Sequence, residues 1–127
     1  MQGKHLYEYA VIRAVPRVER EEFINVGIIL FCKREKYIRV QVKINNDRLK
    51  FFTGELDADQ LLKNLDGFEK IARGEKSCGP IAQMDIAERF RWLTAVKSSS
   101  IQTSKPHPGI CKDLDETFER LFGELVL

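Results

Sequence analysis

Residues 91–109, RWLTAVKSSSIQTSKPHPG, gather the side chains best suited to chemistry: Arg91, Lys97, the hydroxyls of Ser98, Ser99 and Ser100, Gln102 and His107. Hydroxyls beside Arg and Lys can hold a phosphate through charge-assisted hydrogen bonds and converging backbone N–H groups. The stretch lacks the glycines of a phosphate-binding loop, so it matches no nucleotide motif. The structural alternative is a solvated connector with turns at Pro106, Pro108 and Gly109, in which Ile101 makes one short strand pairing flanked by Gln102. His107 and Cys111 stand four residues apart, but Cys–His catalysis draws its partners from distant chain positions. No catalytic residue is assigned. Trp92 closes an amphipathic stretch and reads as a packing anchor before a stacking platform.

Arg13 and Asn25 form the second constellation. If the loop at 16–22 is symmetric, Arg13 lies opposite Asn25 and Val11 opposite Gly27, and a short turn at 33–36 places Ile29 opposite Val40 and Phe31 opposite Ile38. Period-two geometry then collects Tyr7, Tyr9, Val11, Arg13, Phe23, Asn25, Gly27, Ile29, Phe31, Ile38, Val40, Val42 and Ile44 on one face, the one helices should cover. A guanidinium embedded there costs several kcal/mol unless paired. Glu19, Glu21 or Glu22, a helix carboxylate or a bound anion could pair with it, and a register slip of one residue would instead turn Arg13 to solvent. Glu22 is also the acid/base candidate beside His107 if the site acts on a phosphorylated molecule. The cluster Glu19, Glu21 and Glu22, with Asp85 and Glu88, has no His at ligand spacing; no metal and no cofactor are expected.

The elements that must position these residues follow from pattern. Residues 7–15 carry apolar residues on both parities, which suits a strand covered on both faces. Residues 23–32 are rich in β-branched types, with Gly27 marking a bulge or a close backbone approach. Residues 37–44 alternate, with one face buried and one wet. Capping boxes at Asp57/Gln60, Asp85/Glu88 and Asp113/Glu116 each open a helix; the last carries Leu114, Phe118, Leu121, Phe122, Leu125 and Val126 as its apolar stripe. Residues 46–54 read as a short strand or a helical turn. The expected fold is α+β, a single domain over 1–127: an antiparallel meander of three or more strands within 6–45, and about three helices from 46–127 packed on one face.

Composition narrows the function classes. At 127 residues the chain can bury one core without staples. A net charge of +2 and a pI near 8.4 give no strong electrostatic footprint for nucleic acid. Lys33, Arg34, Lys36, Arg39 and Lys43, with Gln41 on the same wet face, nonetheless place positive charge near one hairpin that could contact phosphates, or could simply protect an edge strand from aggregation. No apolar run approaches membrane-helix length, and the first residues lack the features of a signal peptide. The expected compartment is cytoplasmic, with the odd cysteines Cys32, Cys78 and Cys111 reduced.

Two blocks, YEYAVIRAVPRVEREEFINVGIIL and RWLTAVKSSSIQTSKPHPGICKDLDETFERLFGELV, resemble the bacterial domain-of-unknown-function family 3037. Arg13, Pro16, Glu22, Phe23, Asn25, Val26, Gly27, Arg91, Trp92, Ser98, Ser99, Ser100 and Gln102 carry the resemblance. It implies no activity. Because some members are encoded beside HipA-like serine/threonine kinases, it implies a two-component module with such a kinase as partner. It also implies that the Arg13/Asn25 pair and residues 91–102 meet across the sheet–helix interface. Three readings stand: a non-catalytic interaction or accessory domain; a binder or enzyme for a phosphorylated small molecule built on Arg13, Asn25, Arg91, Lys97 and Ser98, Ser99 and Ser100; and a nucleic-acid-binding domain.

Overall fold

A computed structural model of the chain describes residues 3–15, 23–44, 58–95 and 101–127. Within these the order is β1 (His5–Ala14), β2 (Ile24–Cys32), β3 (Tyr37–Val42), α1 (Ala58–Arg73), 3₁₀ turns at Lys76–Cys78 and Ile81–Gln83, α2 (Ile86–Leu93), β4 (Ile101–Thr103), β5 (His107–Cys111) and α3 (Leu114–Leu125). The α+β class and the antiparallel meander are as expected from the sequence. All pairings are antiparallel, in the order β3-β2-β1-β4, and β5 pairs with β1 beside β4.

β4 and β5 therefore share one edge of β1, a strand not anticipated at 107–111. They are offset by an interruption at Ser104. There the Ser104 hydroxyl accepts from the Val11 N–H at 2.9 Å, and the Ser104 N–H donates to the Val11 carbonyl at 2.9 Å. A buried side-chain oxygen thus takes the place of a ladder carbonyl and leaves neither Val11 backbone group orphaned.

The helices cover both faces of the sheet, which corrects the one-face arrangement. Ala10, Ile12, Ala14, Ile24, Val26, Ile29, Phe31 and Val40 pack with Leu61, Leu65 and Phe68 of α1 and Phe90 and Leu93 of α2. Tyr7, Val11, Ile28, Leu30 and Cys32 pack with Leu114, Phe118, Leu121 and Phe122 of α3. The two-parity apolar pattern of residues 7–15 is the direct sequence trace of this sandwich.

A bulge explains why the expected faces mix. The register runs Ile12 opposite Gly27 and then Arg13 opposite Asn25, so Val26 is the extra residue. Side chains of β2 change parity there: Ile24 and Val26 share a face with Ile29 and Phe31. Arg13 does oppose Asn25, as expected, but Val11 opposes Ile28 instead of Gly27. The β2–β3 register, Ile29 to Val40 and Phe31 to Ile38, is as expected. Gly27 is required by close approach: a Cβ would lie 2.6 Å from the Gln41 carbonyl oxygen and 3.0 Å from Val42 Cγ2.

Helix ends follow the residues that cap them. Asp85 accepts from Glu88 N–H at 2.8 Å and Asp113 from Glu116 N–H at 3.0 Å; the Asp57 cap lies outside the described residues. α1 ends at Gly74, whose φ of 76° permits a paired closure in which Gly74 N–H donates to Ile71 O and Glu75 N–H to Lys70 O. Among the described residues no helix is long and apolar enough to cross a membrane.

Candidate functional site

The predicted site residues separate into two places. Arg13, Asn25 and Gln102 form a row across β2, β1 and β4, because Arg13 opposes both Asn25 and Gln102. Directly opposed residues project to one face, here the face of α3. Asn25 Nδ2 donates to the Leu125 carbonyl at 3.0 Å, tying the row to the last turn of α3. The Arg13 guanidinium lies 4.2 Å from the centroid of the Phe23 ring, a cation–π contact. Arg13 Nε and Asn25 Oδ1 are buried and have no hydrogen-bond partner among the described residues. Glu19, Glu21 and Glu22, the carboxylates expected to answer Arg13, lie outside the described residues.

Arg91 is on the other face. It grips Glu8 of β1 in a bidentate pair, Nη1 to Oε1 at 3.1 Å and Nη2 to Oε2 at 3.0 Å. Glu8 has the parity of Ala10 and Ile12, which face α1 and α2. The sheet therefore stands between Arg13 and Arg91, and they do not meet at one anion. Lys97, Ser98, Ser99 and Ser100 lie outside the described residues. His107 is exposed, with its ring 5.2 Å from that of Tyr9. His107 and Cys111 both lie on β5; four strand residues span roughly 13 Å, which separates an imidazole from a thiol too far for proton transfer. Among the described residues no group of three His, Cys, Asp or Glu side chains is placed to hold a metal ion.

The basic hairpin is also partly committed. Arg39 pairs with Asp115 at 3.2 Å and with Glu119, and it lies 4.3 Å from the Phe118 ring centroid. The Tyr37 hydroxyl donates to the same Asp115 carboxylate at 2.5 Å. Burial, and then this hydrogen bond, push the Tyr37 phenol up to about 12. Arg39 is thus bound to α3 by two carboxylates, where a phosphate-binding stripe would need it unpaired.

A groove that pattern reading missed opens where α1, the end of α2 and β4 meet. Its walls are Lys63, Asn64, Gly67, Phe68 and Ile71 on one side and Trp92, Leu93 and Ala95 on the other, with Ile101–Thr103 as the floor. Its volume is about 330 Å³. Gly67 leaves it open, since a Cβ there would meet nothing within 4 Å. Thr103 Oγ1 donates to the Thr94 carbonyl at 3.4 Å, linking floor to wall. Trp92, on the rim, is 40% exposed, so the expected packing anchor presents much of its surface to solvent. The signals were Trp92 at a helix end and Gly67 within an apolar helix, but their convergence needed the third dimension.

No curated protein and no solved structure matches the chain. A family model does, over residues 9–126: that of DUF3037, a protein of unknown function. The match spans β1 to the end of α3 and takes in both the polar row and the groove, and the chain belongs to this family.

Proposed function

We propose that this protein is a non-catalytic interaction domain, whose partner inserts an apolar side chain or a short helical turn into the groove between α1, α2 and β4. The observation that carries the reading is Trp92, 40% exposed on the rim of an opening that reaches core residues Phe68 and Leu93. Large aromatic side chains at the mouth of an apolar recess dominate interface energetics when a partner covers them. Lys63 and Asn64 supply the polar rim such interfaces use. A HipA-like kinase, implied by the family's neighbours, is the first partner to test.

The groove's volume also lies at the lower end for small-molecule pockets. A small ligand is therefore the second reading. It does not use the Arg13–Arg91 cluster, whose members lie on opposite faces.

The test compares three purified forms as bait in cells that express the protein, with nuclease added: wild type, Trp92→Ala and Gly67→Leu. Gly67→Leu fills the groove from a helical position with open space beside it. A stoichiometric protein partner retained by wild type and lost by both variants, with melting temperatures preserved, is the expected result. A partner retained by both variants, or none at all, refutes the groove as a protein interface. Quenching of Trp92, the only tryptophan, by metabolite pools would then favour the small-ligand reading.

A further inference from the structure

A second surface lies on the face of α1 and α2, beyond the reach of α2. Leu6 of β1 and Ile110 of β5 are cross-strand partners, yet they are 67% and 57% exposed. Two aliphatic side chains side by side on a sheet, with no element over them among the described residues, are costly to leave in water. They form the floor of a recess of about 490 Å³ whose remaining lining is Lys4, Lys33 and Arg34.

These cations form no ion pair among the described residues. Glu8, two residues along β1 from Leu6, is held by Arg91. Glu35, in the turn beside Lys33 and Arg34, lies 3.5 Å from His5 Nδ1. The whole chain carries a net charge of only +2, so this concentration of positive charge, unpaired among the described residues, is local.

We propose that this recess docks an acidic amphipathic segment of a partner protein, with aliphatic side chains against Leu6 and Ile110 and carboxylates against Lys4, Lys33 and Arg34. The charge selects an acidic partner and the apolar floor requires that it also carry hydrophobic residues. A concave recess suits an inserted side chain, whereas a bilayer contact calls for a protruding apolar tip. Pro108 gives β5 no N–H at that position, so the segment lies over the face and does not extend the sheet. This surface is separate from the Trp92 groove, and either can fail without the other.

The test is fluorescence anisotropy with two labelled probes, a Leu–Glu alternating peptide and an amphipathic Glu-rich helix with Leu at helical spacing. A Leu–Lys alternating peptide is the control. Wild type should bind at least one acidic probe, with affinity falling as salt is raised, and should not bind the Leu–Lys control. Lys33→Glu/Arg34→Glu and Leu6→Ser/Ile110→Ser should each weaken binding at least tenfold at unchanged melting temperature. Trp92→Ala should leave it unaltered, which keeps this result distinct from the groove. Failure of both acidic probes, or equal binding by the substituted forms, overturns the proposal. Sedimentation with phosphatidylserine vesicles by a wild type that ignores both peptides also overturns it and assigns the recess to a membrane surface.

Discussion

Gly27→Ala tests the bulge that decides which face each β2 side chain occupies. The added methyl would sit 2.6 Å from the Gln41 carbonyl oxygen, 3.0 Å from Val42 Cγ2 and 3.2 Å from Ile12 Cδ1, where ordinary contact begins at 3.4 Å. The nearest obstacle is backbone in the paired strand, so β3 must retreat from β2 by about 0.8 Å, locally stretching the ladder. Overpacking of this kind costs about 1–3 kcal/mol. Reduced freedom of the unfolded chain returns about 0.4–1 kcal/mol. The net expectation is a loss of about 1–2 kcal/mol, or roughly 4–10 °C in melting temperature for a chain of this size. Gly123→Ala, in α3 with nothing within 4 Å of the new methyl, should instead gain about 0.5–1 kcal/mol by the helix-propensity difference. Urea unfolding followed by circular dichroism and by Trp92 emission measures both. Equal stability of Gly27→Ala and wild type would refute the close approach, and with it the account of the parity change.

Three further outcomes follow from the side-chain contacts. Asn25→Ala leaves the Leu125 carbonyl without its donor and should cost about 1–2 kcal/mol, with faster hydrogen exchange in the last turn of α3; unchanged exchange there would sink the tie between the polar row and that helix. Arg91→Ala removes an ion pair whose guanidinium is 60% exposed and should cost under about 1 kcal/mol; a larger loss would mean Arg91 does more than hold Glu8. The Tyr37 phenol is raised in the folded state, to about 12, so its contribution to stability is present below its unfolded value and is lost as pH rises from there through about 12. Tyr37→Phe should therefore flatten stability against pH in that alkaline window, and identical slopes for the two proteins would contradict the network with Asp115.

Strand and helix placement was readable because it is local. Alternation, β-branched runs and capping boxes fixed β1–β3 and the starts of α2 and α3 to within a residue or two, and turn length at 33–36 set the β2–β3 register. The Arg13–Asn25 pairing was legible for the same reason, and Gly27 announced its bulge or close approach. Residues 107–111 did not read as a strand, because Pro108 and Gly109 carry turn chemistry. They pair only because β1 offers an open edge and Ser104 mends the ladder where the register slips.

The candidate site depended more heavily on the third dimension. Arg13 and Arg91 both looked suited to one anion, yet alternation along β1 sends Arg13 toward α3 and Glu8, with its Arg91, toward α1 and α2. The groove joins residues from 63 to 103, and the Leu6–Ile110 recess joins residues from 4 to 110; no periodicity links such distant positions. By itself the sequence determined which segments bury apolar faces, since that follows from side-chain spacing and cap chemistry. Only the tertiary structure decided which polar groups meet, which neutralise one another and which apolar surfaces stay uncovered, because these depend on a one-residue bulge and on helices lying on both sides of the sheet.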